Sequence, residues 1–228
     1  ELEYAMGFKT ILEIHNIDPM QIKGAIISSV VPQLVDAIKV AVEKVAKITP
    51  MIVGPGVKTG LNILMDQPKQ VGSDLIVDAV AALNVYGYPA VVIDIGTATT
   101  ISVVDEKGDS IGGAILPGIK VSPASLGSRT AQLPRIGLDV PKHVIGKNTV
   151  DCMKSGIILG NASCIDGMID KIIEEAGFGK NGKPEARIIA TGGLSGVIIP
   201  KCRHNIIQDN ALLLKGLKII YDKNITCA

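Results

Sequence analysis

Between Ala90 and Leu116 the chain reads as three β segments in close succession: Ala90–Ile95, Thr100–Asp105 and Ser110–Leu116. Asp105-Glu106-Lys107-Gly108-Asp109 supplies a hairpin turn between the last two. The first two are joined through Asp94-Ile95-Gly96-Thr97-Ala98-Thr99-Thr100. A carboxylate ends an apolar strand, a glycine gives the backbone room, and three threonines follow. A hydroxyl-rich turn after a buried strand costs β-propensity unless something is held there. Its backbone N–H groups and hydroxyls can receive phosphate, and its aspartate can handle a cation. The plain alternative is an acid that accepts turn N–H bonds. The pattern points to phosphoryl transfer.

Composition sets the limits of that reading. The 228 residues suffice for one large or two small domains, and 47% hydrophobic with 20% charged residues excludes general disorder. No apolar stretch approaches the ~18 residues of a membrane span, and no charged-then-apolar leader opens the chain. A formal net charge of +1 and 3% aromatic residues give no footprint for nucleic acid. Cys152, Cys164, Cys202 and Cys227 form no C-x-x-C pair, and His15, His143 and His204 are scattered, which argues against zinc. Four unpatterned thiols suit a reducing cytoplasm. Cys152 and Cys164 are expected in the core.

Helical spacing covers Glu3–Asn16, Gln33–Ile48 behind Pro32, Gly72–Tyr86, Ile119–Ala131, Thr149–Ala176 and Asn210–Tyr221. Buried strands are expected at 24–31, 50–53 and 187–190. The mixed order implies an α/β fold of two lobes with a cleft between them, residues 1–87 and 88–228. At the head of one helix, Gly72-Ser73-Asp74 reads as a cap, with Ser73 satisfying free N–H groups, or as a site with Asp74 as general base. Gly112-Gly113 reads as a bulged edge strand or a ligand approach. Thr191-Gly192-Gly193-Leu194 reads as a turn or a bed for a nucleotide. Thr149 reads as an N-cap. His143, Lys142 and Lys147 read as solvated.

These segments in this order resemble the type III pantothenate kinases of the actin-like, sugar-kinase-like ATPase superfamily. The resemblance spans Ile27-Ser28-Ser29-Val30-Val31-Pro32, Gly72-Ser73-Asp74 with Ala79-Val80-Ala81-Ala82, Asp94–Thr100, Gly112–Gly118, Gly146-Lys147-Asn148-Thr149 and Thr191–Leu194. It implies two ribonuclease-H-like lobes around an ATP cleft and phosphorylation of pantothenate, the first step of coenzyme A synthesis. It implies that Asp74 accepts the proton of the pantothenate hydroxyl and that Gly72, Ser73, Asp74 and Leu75 lie against that substrate. Asp94 would coordinate potassium or ammonium, beside the magnesium that travels with ATP. Thr97 would bind ATP phosphate. Thr149 would contact pantothenate across a homodimer interface.

The chain also departs from the family pattern. The opening Asp-x-Gly-Asn-Thr phosphate loop of the family has no counterpart here, so the first lobe is expected to lack an edge of sheet. Leu75 stands where the family carries Arg, and Met65 where a substrate-contacting Tyr is common. Loss of an Arg removes five donors and a fixed charge. These departures leave two further expectations: a catalytically impaired ligand-binding or regulatory relative, and a kinase of another small hydroxylated acid.

Overall fold

The computed structural model describes residues 1–121, 134 and 136–226. In chain order the elements are α1 (Leu2–Ile14), β1 (Ile26–Ile27), α2 (Pro32–Ala46), β2 (Met51–Ile52), β3 (Asn62–Ile63) and α3 (Ser73–Val85). There follow β4 (Ala90–Ile95), β5 (Ala98–Val104), β6 (Asp109–Pro117), α4 (Thr149–Ala176), β7 (Arg187–Thr191), α5 (Ser195–Ile198), β8 (Ile207–Gln208) and α6 (Leu212–Ile225). The helix expected over Ile119–Ala131 falls mostly outside the described residues. Two compact units result. One comprises Glu1–Gly60, Lys69–Ala81 and Leu213–Ala228, the other Leu61–Pro68 and Ala82–Leu212.

In the first unit, β1 and β2 pair in parallel through Ile26↔Met51 and Ile27↔Ile52, with α2 as their crossover. Pro32 opens α2 because its missing N–H is one the first turn leaves unpaired anyway. Lys47, left-handed at φ 58°, closes it. The strand expected over 24–31 is paired for only two residues. The C-terminal helix α6 is stitched to the loop before β3. The Asn224 side chain accepts from Lys58 N at 3.0 Å and donates to Lys58 O at 2.9 Å, and Lys223 Nζ donates to Thr59 O at 3.2 Å. These bonds group α6 with residues 1–60, whereas a division at 87/88 would put it with the second lobe.

The second unit is a six-stranded mixed sheet in the order β3-β6-β5-β4-β7-β8. The β4-β5-β6 part is an antiparallel meander, while β7 runs parallel to β4. The hairpin turn forms where expected: Asp105 Oδ1 accepts from Lys107 N and Asp109 N, both at 2.9 Å. β6 carries a bulge, since Val103 faces Gly112 but Val104 faces Ser110. On its other side β3 pairs only with Asp109 and Ser110, so the bulge before Gly112-Gly113 lies beyond that pairing, as a bulged edge strand would. The 28-residue α4 covers one sheet face with Ile157, Ile158, Ala162, Ile165 and Ile169, which meet Val91, Ile93, Ile95, Ile101 and Val103. Strand alternation puts the residues between these, Asp94 among them, on the other face.

The position of the core stripe corrects the expectation for two cysteines. Cys152 and Cys164 are exposed. Each precedes a buried position of α4, Met153 and Ile165, and is therefore turned about 100° from the stripe. Cys202 is half-buried, and burial, with a smaller contribution from Asp166, pushes its thiol up to about 12. It is protonated and inert near neutrality.

Candidate active site

Each unit holds one cluster of expected site residues. In the first, α3 begins at Ser73, and the loop after β1 lies against its start. Ser28 Oγ donates to Ser73 Oγ at 2.9 Å. Asp74 Oδ1 accepts from Leu75 N at 2.9 Å, so the carboxylate sits at the positive end of the helix. A Cβ on Gly72 would come 2.5 Å from Asp74 Oδ1, so a side chain there would push the carboxylate from its place. Gly72, Ser73, Asp74 and Leu75 are thus brought together, all partly exposed.

In the second unit the β4–β5 turn is clasped by backbone from two neighbouring strands. A Cβ on Gly118, just past β6, would run into the Thr97 carbonyl. A Cβ on Gly192, just past β7, would strike Asp94 Oδ1 and come within 2.6 Å of the Ile95 backbone. Gly192 also has φ +95°, which side-chain-bearing residues rarely adopt. Its carbonyl is held by Ser195 Oγ at 2.7 Å, and Asn210 Oδ1 lies 3.1 Å from the same hydroxyl. Leu194 N donates to Ile95 O at 3.4 Å. Asp94 is therefore fixed by a turn that sequence inspection treats as unspecific. Ser195 and Asn210, which hold that turn, carry no motif by which they could be found.

The threonines of the turn divide by face. Thr97 is exposed at its tip. Thr100 lies opposite Asp94 in register and shares its face. Thr99 lies opposite Ile95, on the α4 side, and its buried hydroxyl has no partner among the described residues. An unpaired buried hydroxyl costs about 1–3 kcal/mol. Thr99→Val is accordingly expected to raise stability by about 1 kcal/mol without loss of activity. Urea melts and turnover of the purified variant check this, and a destabilised variant would refute it.

Met65, on the loop after β3, and Thr149 are exposed. Among the described residues no hydrogen bond joins either to the Asp94 turn. Thr149 is not the N-cap of α4. Asn148 is, accepting from Asp151 N at 2.9 Å, which leaves Thr149 as the first helical residue. His143, Lys142 and Lys147 are exposed as read. Of two surface hollows of the second unit, one of about 460 Å³ is lined by none of the expected site residues, and one of about 390 Å³ is lined by Gly112 and Gly113, the pair read as a possible ligand approach, but by none of the residues given a catalytic, substrate, phosphate or cation role. No group of three or more His, Cys, Asp or Glu stands ready for a metal among the described residues. No helix among them is long and apolar enough to cross a membrane.

Comparison with known proteins identifies the assembly. The family profile described as Type III pantothenate kinase matches residues 1–171. A type III pantothenate kinase of Halalkalibacterium halodurans is 44% identical over 225 residues, covering 99% of this chain and 86% of the relative. The chain belongs to the type III pantothenate kinase family. Its fold is shared more widely. A Baf family transcriptional activator from Campylobacter jejuni aligns with TM-score 0.60 at 20% identity, over 96% of this chain and 89% of its own. Component A of (R)-2-hydroxyglutaryl-CoA dehydratase from Acidaminococcus fermentans aligns with TM-score 0.50 at 13% identity, over 98% and 85%. These likenesses concern the fold alone, an α/β architecture with a mixed sheet.

Proposed function

We propose that the chain transfers the γ-phosphoryl group of ATP to the primary hydroxyl of pantothenate, giving 4′-phosphopantothenate and ADP. The observation that carries this reading is the 44% identity to a pantothenate kinase along 99% of the chain. The side chains support it. Asp74 takes the proton of the acceptor hydroxyl as the new oxygen–phosphorus bond forms, and the bond from the γ-phosphorus to the ADP oxygen breaks. The proton then leaves Asp74 for solvent. Gly72 and Ser73 border the acceptor, and Thr97 offers its hydroxyl and N–H to a phosphate.

The residues around Asp94 fit a hard monovalent cation. One carboxylate with threonine hydroxyls nearby in the chain and in register offers oxygen donors, which suit potassium rather than a thiophilic metal. The magnesium that accompanies ATP and a potassium or ammonium ion at Asp94 supply neutralisation of phosphate charge. Phosphoryl transfer needs this and positioning more than covalent help. The reading includes a cytoplasmic homodimer in which the exposed Thr149 reaches pantothenate across the interface.

The test is steady-state turnover of the 228-residue chain with ATP, magnesium and potassium, run against pantothenate and a panel of small hydroxylated acids. ADP release is the readout, and mass spectrometry identifies the product. Pantothenate is expected to give the highest kcat/KM. Leu75 and Met65 make the panel informative, because faster turnover of another acid would overturn the substrate assignment. Binding without turnover would favour a regulatory relative.

A further inference from the structure

We infer that the Thr191 hydroxyl is a second ligand of the monovalent cation at Asp94. The inference rests on the cation reading of Asp94 given above. It comes from sheet register. Asp94 on β4 is the partner of Thr100 on β5 and of Thr191 on β7. Residues in register on adjacent strands project from the same face, and adjacent strands lie about 4.8 Å apart. Thr100, Asp94 and Thr191 therefore form one row of oxygen-bearing side chains across three strands. The row stands on the face away from α4, because Ile93, Ile95, Ile188 and Ala190 point into the core with that helix.

Thr191 is the unusual member of the row. It is 5% exposed, the most deeply buried of the three. Valine would fill the same volume and suit a buried strand better. A buried hydroxyl beside a carboxylate is retained at less cost if its oxygen faces a cation, to which a hydroxyl lone pair is a good donor. The next residue is Gly192, where a Cβ would strike the Asp94 carboxylate. The end of β7 is thus shaped around Asp94 by both its residues: Gly192 leaves the carboxylate its place, and Thr191 stands beside it. Oxygen donors without sulfur or imidazole suit a hard cation.

The experiment is a thermal-shift titration of the full chain with KCl, against choline chloride at equal ionic strength, with ATP and magnesium present and pantothenate absent. A cation that binds the folded state raises Tm with concentration. The parent chain is expected to show a potassium-specific rise, and Asp94→Asn to lose it. Thr191→Val should shift the titration midpoint upward by about tenfold, with its Tm in choline chloride near that of the parent. Thr191→Ser, which keeps the hydroxyl, should titrate like the parent. If Thr191→Val does not fold, Thr191→Ala takes its place with the same expected shift. A parent-like midpoint for the hydroxyl-free variant, with Asp94→Asn still insensitive, would overturn the Thr191 assignment alone. The absence of any potassium-specific rise in the parent would overturn the cation reading and this inference with it.

Discussion

Asp74→Asn is expected to turn over pantothenate about 10²–10⁴-fold more slowly than the parent chain, with the fold intact. The substitution separates two roles of one side chain. Asparagine keeps the size of aspartate and an oxygen that can accept from Leu75 N, as Asp74 Oδ1 does at 2.9 Å. The bond between Ser28 and Ser73 is untouched. The negative charge and the capacity to take a proton are removed, and loss of the charge at a helix N-terminus lowers stability by about 0.3–1 kcal/mol. The loss should therefore appear in kcat, with the KM for ATP little changed, since no nucleotide contact is assigned to this residue. Steady-state kinetics with a parallel thermal melt measure both. A full-rate Asp74→Asn protein would remove the general base from the proposal, and a collapsed melt would show a structural role instead.

Asp94→Asn is expected to lower kcat/KM for ATP by about 10²-fold and to abolish activation by potassium. The fixed charge at the end of β4 is confined by the backbone past β7. Gly192 leaves no room for a Cβ beside Oδ1. This confinement gives a second expectation for the same position. Asp94→Glu retains the charge, but its extra methylene does not fit the space that Gly192 bounds, so it should recover little of the activity. A potassium titration of initial rate over a fixed ATP series measures both variants. Undiminished potassium activation in Asp94→Asn would show that the cation lies elsewhere.

Much of the local structure was legible because its causes are local. Pro32 fixes the start of α2, Gly177 closes α4 in the left-handed conformation, and Asp105 closes the β5–β6 hairpin with its own side chain. The meander is a run of apolar and β-branched residues broken by turn chemistry within a few residues. The head of α3, with Gly72-Ser73-Asp74, was visible for the same reason. Where two neighbours could serve, sequence inspection picks the wrong one. It reads Thr149 as the cap of α4, but Asn148, an equally good cap, takes the role. Cys152 and Cys164 were placed in the core by residue type, although the phase of α4 against the sheet turns both outward.

What was not legible depends on pairing at a distance. β3 and β8 are two residues each, and they exist only because β6 and β7 offer an edge. α6 is assigned to the first unit by Asn224 and Lys223 reaching residues 58 and 59, which no periodicity in the helix announces. The division of the threonines needed the register as well. Alternation alone says that Thr99 and Thr100 point opposite ways, but only the pairing with Ile95 and Asp94 says which of them faces the core.

By itself the sequence determined that this chain is an α/β protein of the pantothenate kinase kind. It carries a hydroxyl-rich turn after one strand and a carboxylate at the head of one helix, because turn residues, caps and alternation act over a few positions. Only the tertiary structure decided that Asp94 stands in one row with Thr100 and Thr191 and that two glycines clasp its turn. Strand register is fixed by packing between segments far apart in the chain, and that packing is a property of the assembled sheet.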